Sequence, residues 1–334
     1  MKTLVQFFRR SLPLAFSAIL LVCVLFWISG LVPLNQNQVG GLFYQHSIIF
    51  THNLFGPHPQ YLILWFGGLA LFILVSLIIL NLNSKYIFIQ ERTFMPVLFF
   101  GLLAGFPASV QVISPVAIFS FFLLFSLSKI FNTYRSKQCL SSYFEAAFLI
   151  GLGSFFWLPG IIFFFPVVAG LAIFRPFNWR EWTVAFIGFV TPLAFYQFYQ
   201  LFFNDHPSVL FDAIATAFRT EGPDNETLTK MQLVYISFVG FVILVSSVKL
   251  IQRYDSFKIR SRKIFILFFW VFVTAVVGYL IVPGITYEVG FIAAIPACFL
   301  LTFYFTIDRN PTRFQSILFV TSIALAFLQA FWLK

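Results

Sequence analysis

The chain has 334 residues, 60% of them hydrophobic and 10% charged, and a formal net charge of +10. Soluble domains carry about 45–50% apolar and about 25% charged residues, so this composition excludes a soluble globular enzyme and leaves no soluble basic face for a nucleic acid. It describes an all-α, polytopic transmembrane helix bundle, read as a single integral-membrane domain over 1–334.

A bilayer core about 30 Å thick takes about 20 helical residues to cross. Apolar runs near that length predict about 11 membrane segments, at 12–33, 60–81, 94–108, 114–131, 143–158, 160–174, 180–203, 232–250, 264–283, 288–306 and 314–332. With a cytoplasmic N-terminus, the inner stretches collect Lys2, Arg9, Arg10, Lys85, Arg92, Lys129, Arg135, Lys137, Arg175, Arg180, Lys249, Arg253, Lys258, Arg260, Arg262, Lys263, Arg309 and Arg313. Only Arg219, Lys230 and Lys334 fall outside. Basic residues are retained inside, so the predicted orientation is N-in and, for an odd number of crossings, C-out. The net charge is therefore a topology signal, and the basic stretch 249–263 could also hold anionic lipid headgroups.

The first run has an apolar core too long for a secretory signal, and no small-x-small cleavage site follows it in Leu31-Val32-Pro33-Leu34-Asn35, so it is expected to stay as a helix. Cys23, Cys139 and Cys298 are widely separated and suggest neither a disulfide framework nor a metal site. The loop 35–59 has no charged residue but carries His46, His52 and His58; His206 is also outside. Positions 46 and 52 lie about 120° apart on a helix and so do not share a ligand face. No metal and no cofactor are predicted.

Two hairpins, 94–131 and 143–174, have limbs of about 15 residues with Gly and Pro at their tips, and their likeness reads as a parallel repeat. Their limbs either cross or re-enter, and charge does not separate the two because both ends stay inside. Gly101 and Gly105 form a GxxxG pattern that lets helices approach closely. In Phe174-Arg175-Pro176-Phe177-Asn178-Trp179-Arg180-Glu181-Trp182, Asn178 and Glu181 have the spacing of a capping box, and Ser142 with Glu145 repeats it. Further on, 207–219 predicts an amphipathic surface helix with Phe211, Ile214 and Phe218 turned inward.

No charge sits clearly at mid-membrane, which argues against a proton relay or an ion-coupled transporter. The candidates for chemistry lie at the outer boundary. Glu288 opens the tenth segment after Pro283-Gly284 and could act as a base, and Arg219 could bind a phosphate, with Asp212, Asp205, Tyr196 and Gln200 beside them as substrate-binding groups. The same residues also read as solvated rim groups.

Through Arg175-Pro-Phe-Asn-Trp-Arg-Glu-Trp182 and Glu288-Val-Gly-Phe-Ile-Ala-Ala-Ile-Pro296, the chain resembles an uncharacterised multi-pass integral-membrane family of Bacteroidota. The layout, with an external loop after the first helix and a Pro-containing late helix, looks like that of C-type lipid-linked sugar glycosyltransferases. Those enzymes place a catalytic acid in the first external loop, where residues 35–59 have none. The resemblance implies an inner-membrane location, with membrane lipids, a lipid-linked sugar or other envelope proteins as partners. Three functions compete: a non-catalytic component of envelope biogenesis, favoured by the missing acid; a glycosyltransferase-like enzyme acting on a polyprenyl-phosphate-linked sugar at the outer face; and a carrier of a hydrophobic or lipid-linked substrate.

Overall fold

The computed structural model describes residues 2–9, 13–28, 61–86, 89, 93–105, 113–134, 139–175, 178–203, 209–219, 230–308 and 311–331. Among these there are thirteen α-helices and no strand. They are α1 (Lys2–Arg9), α2 (Pro13–Ile28), α3 (Tyr61–Tyr86), α4 (Met95–Ala104), α5 (Pro115–Asn132), α6 (Leu140–Gly153), α7 (Phe164–Phe174), α8 (Trp179–Phe203), α9 (Val209–Arg219), α10 (Lys230–Gln252), α11 (Ile259–Ile281), α12 (Gly290–Thr306) and α13 (Arg313–Phe331). Short 3-10 turns precede α7 (Leu158–Phe163) and α12 (Tyr287–Val289). Seven helical segments are long and apolar enough to cross a membrane, and four shorter apolar ones lie at 14–27, 95–104, 140–153 and 158–174. Each of the eleven expected runs thus contains a helix.

Helices α4 and α12 form the centre. Both are almost wholly buried and pack on each other, α2 lies against α4, and α10 and α11 lie against α12. Phenylalanine fills the space between them: Phe99 stacks on Phe305 with ring centroids 5.2 Å apart, Phe100 meets Phe291 edge-on, and Phe268 stacks on Phe299 at 4.9 Å. Rings suit this position because they fill volume with few rotatable bonds and prefer offset or edge-to-face pairs. By contrast, α8 and α10 keep most of their apolar surface turned outward. That pattern is expected where the surrounding solvent is lipid rather than water.

The ends expected to share one side do meet. The Arg260 guanidinium lies over the Tyr86 ring at 4.7 Å and the Tyr134 ring at 5.7 Å, which joins α11 to the ends of α3 and α5. Lys263 sits over Phe174. Asp308, just past α12, accepts from Arg9 through its carbonyl, and its carboxylate lies 3.9 Å from Lys249 and accepts from Gln315. Thr312 and Gln315 cap α13 reciprocally: the Gln315 N–H donates to Thr312 Oγ1, and the Thr312 N–H donates to Gln315 Oε1. This is a capping box of the Thr-x-x-Gln type.

From this basic end the depth of each hairpin follows from the rise along continuous helices. The Ile113 N–H donates to the Leu64 carbonyl at 3.0 Å. Leu64 precedes Tyr86 on the continuous α3, which puts Ile113, just before the second limb of the first hairpin, about 33 Å from the basic end at about 1.5 Å per residue. The second tip meets Tyr196 of α8 through Phe155, and Ile162 lies beside Gly278 of α11. Counted from Trp179 and Ile259, these positions lie about 26 and 28 Å deep. Both hairpins therefore reach the far side of the bundle. The non-helical backbone at the second tip is enclosed, with Ser154, Phe155, Trp157 and Leu158 all buried. Irregular backbone at such depth is tolerated only when protein surrounds it.

Two local expectations change and a third holds. Helix α6 begins at Leu140 with Cys139 as its N-cap, so Ser142 falls inside the first turn and caps nothing, and Glu145 pairs instead with Lys129 of α5. Helix α9 is present, but its buried positions are Leu210 and Ala217, while Phe211 is 67% exposed and Ile214 and Phe218 are half-buried. Its seat is formed by α8 and the 3-10 turn before α7, and the small Ala217 permits the closest approach, which turns the helix by about one residue step. The GxxxG expectation holds as packing, because a Cβ at Gly101 would meet Cys23 Sγ of α2 at 2.5 Å.

The closest helix pair is α6 with α8. A Cβ on Gly151 would lie 2.5 Å from the Phe189 carbonyl, and one on Gly188 would lie 2.5 Å from the Phe144 carbonyl. Replacing Gly188 by leucine should therefore separate the two backbones and cost about 1–3 kcal/mol. The same change at Gly240 of α10, which has open space around it, should cost nothing measurable. Thermal unfolding of the two variants in detergent, followed by far-UV circular dichroism, compares them directly.

Candidate functional site

The residues expected at the outer boundary are distributed over separate elements. Pro283 and Gly284 end α11 at Ile281, and the chain turns through Ile285, whose N–H donates to the Val282 carbonyl. The 3-10 turn that follows places Glu288 at the entrance to α12, where the unbonded N–H groups of a helix start favour a negative charge. Glu288 is only 4% exposed, so it is a buried group rather than the rim group that its position in the sequence suggested. Arg219 and Asp212 sit at the two ends of α9, each favourably placed for the helix dipole, and both are exposed. Arg219 makes no ion pair with Glu288. On α8, Gln200 donates to Tyr196 Oη at 2.8 Å, and the Tyr196 ring packs on Phe155. Tyr196 and Gln200 are thus brought together, beside the second hairpin tip on which α9 also rests. Asp205 lies outside the described residues, as do the four histidines. Among the described residues, no three His, Cys, Asp or Glu side chains gather as a metal set would require.

A second polar cluster lies at the basic end, and only half of it was visible in the sequence. The turn between α7 and α8 presents Arg175, whose Nη2 donates to Cys139 Sγ at 2.9 Å and whose Nη1 lies 4.0 Å from Glu181 Oε1. Asn178 does not act as the expected cap. Its side-chain amide donates to Glu181 Oε1 at 3.3 Å, while its carbonyl accepts from the Glu181 N–H. Glu181 is 3% exposed, and its Oε2 has no hydrogen-bond partner among the described residues. The Tyr143 and Thr133 hydroxyls, 3.1 Å apart, complete the cluster. The hydrogen bond to Cys139, followed by the attraction of Cys139 and Glu181, holds the Arg175 guanidinium above its usual range against the opposing effect of burial. Chemically this is a charge-locked corner joining the start of α6 to the start of α8. The spacing of Arg175, Asn178 and Glu181 pointed to it, but nothing local pointed to Cys139, 36 residues earlier.

No protein-family model, curated protein or solved structure matches the chain.

Burial gives the two arginines different weights. Removing one partner of a buried ion pair leaves a charge without compensation, whereas a fully solvated arginine contributes little. Because Arg175 is partly exposed, Arg175→Ala should cost about 1–2 kcal/mol. Adding Glu181→Gln should recover part of the loss by removing the stranded charge, while Arg219→Ala should leave stability unchanged. Unfolding midpoints in one detergent, measured for the three variants side by side, check the order.

Proposed function

We propose that the chain is a non-catalytic, multi-pass component of cell-envelope biogenesis in the inner membrane. Its N-terminus lies in the cytoplasm and its C-terminus outside after eleven crossings. The observation that supports the functional reading is the separation of the transfer groups, with Glu288 buried between α11 and α12 while Arg219 and Asp212 are exposed on α9. A base and a phosphate ligand acting on one substrate must face one space. The gathering of basic side chains at one end supports the orientation, and the depth of the hairpin tips supports the count.

A second reading has one observation in its favour. A buried ionisable residue in a membrane bundle is a candidate functional group, so Glu288 fits a glycosyltransferase-like enzyme acting on a polyprenyl-phosphate-linked sugar. The resemblance to the Bacteroidota family and to the C-type glycosyltransferases belongs with these proposals.

Complementation separates the two readings. Glu288→Gln and Arg219→Gln, scored beside protein abundance, should both restore growth if the chain is non-catalytic; loss of function at normal abundance would establish the enzyme. For the orientation, single cysteines at 136 and 257 in a Cys-free background should resist an impermeant thiol reagent in intact cells, and cysteines at 50 and 225 should react. The opposite pattern would invert the topology.

A further inference from the structure

We infer that the groove between α5 and α6 is a binding site for a zwitterionic, amine-bearing phospholipid of the phosphatidylethanolamine class. The groove is open on its outer side, has a volume of about 430 Å³ and is lined by Phe125, Lys129, Phe144, Glu145, Phe148 and Leu149. Its back is fixed, because Ser126 of α5 donates to the Ala146 carbonyl of α6 at 2.8 Å and the Phe144 and Phe148 rings stack at 18°. Four of its six lining residues form an aliphatic and aromatic wall, and the other two, Lys129 and Glu145, form an ion pair.

The position of that pair sets the occupant. Lys129 is in the last turn of α5 and Glu145 is in the second turn of α6, so both lie just inside the basic end, at the depth where headgroups meet acyl chains. The two side chains remain 41% and 45% exposed, into a space whose other walls are apolar. A lysine ammonium has three donors and a carboxylate about four acceptor sites, so one mutual bond leaves most of their capacity unused. An ethanolamine headgroup carries a phosphate and an ammonium two carbons apart. Its phosphate can accept from Lys129 while its ammonium donates to Glu145, and its acyl chains follow the phenylalanines toward the bundle's middle. An anionic lipid without the amine would satisfy Lys129 but would set its phosphate against the Glu145 carboxylate. Opening the existing pair costs little, since a half-exposed ion pair is worth about 0–1 kcal/mol.

Native mass spectrometry of the full chain, incubated with equimolar phosphatidylethanolamine and phosphatidylglycerol of matched acyl chains, tests the site. Phosphatidylethanolamine adducts should exceed phosphatidylglycerol adducts by about fivefold, the scale of one charge-assisted hydrogen bond. Glu145→Gln should abolish that preference or reverse it, and Lys129→Gln should weaken retention of both lipids. Equal retention by the unaltered protein, or an unchanged ratio in Glu145→Gln, overturns the proposal. If either variant fails to fold, a photoreactive phosphatidylethanolamine on the unaltered protein decides: cross-links on the peptides carrying Phe125 or Phe148 support the site, and cross-links confined to other segments reject it.

Discussion

A peptide group in hydrocarbon can bond only to protein, and the arrangement of this bundle follows from that constraint. The second hairpin interrupts its helical run on the way across, and the free N–H and C=O groups at that interruption need shelter. The fold supplies it by enclosing that tip among α5, α8, α9 and α11. Phe119 is central to the enclosure: it contacts Trp157 and Phe163 and lies where any side chain on Gly160 would go. Helices that flank an interrupted segment must themselves be long and continuous, which is the property of α8 and α11.

Charge and aromaticity then divide the molecule along its axis. At the basic end, cations lie on rings or in bidentate and shared contacts, as with Arg260 between two tyrosines and Asp308 among Arg9, Lys249 and Gln315. A cation over a ring face gains most where water is scarce, so these pairs belong at the boundary rather than in bulk solvent. In the middle, phenylalanine contacts dominate, and several hydroxyl groups turn back on their own helix: Ser120 bonds to the Ala117 carbonyl and Thr274 to the Trp270 carbonyl. Polar side chains buried in this way satisfy themselves locally and bring no charge into the interior.

The sequence disclosed what depends on composition over about twenty residues. Each apolar run contains a helix, and those basic residues between the runs that the structure describes, such as Arg9, Lys249 and Arg260, meet residues of other segments at one end. What it hid depends on angle and on distance along the chain. The rotation of α9 follows from the closeness allowed by Ala217, whereas the apolar stripe alone favoured Phe211. Glu288 looks like a rim residue because Pro283 and Gly284 precede it, yet the 3-10 turn carries it inward. The Cys139–Arg175 bond joins residues in different segments, and a thiol offers no pattern that would announce such a partner.

The contact of backbone on backbone between α6 and α8 has a mechanical side. Two glycines, each facing a carbonyl of the opposite helix, bring backbone against backbone at two points, so the pair resists sliding and rotation alike. Because α8 faces outward over most of its remaining surface, a displacement of α6 would be delivered to the lipid-facing side of the molecule with little loss.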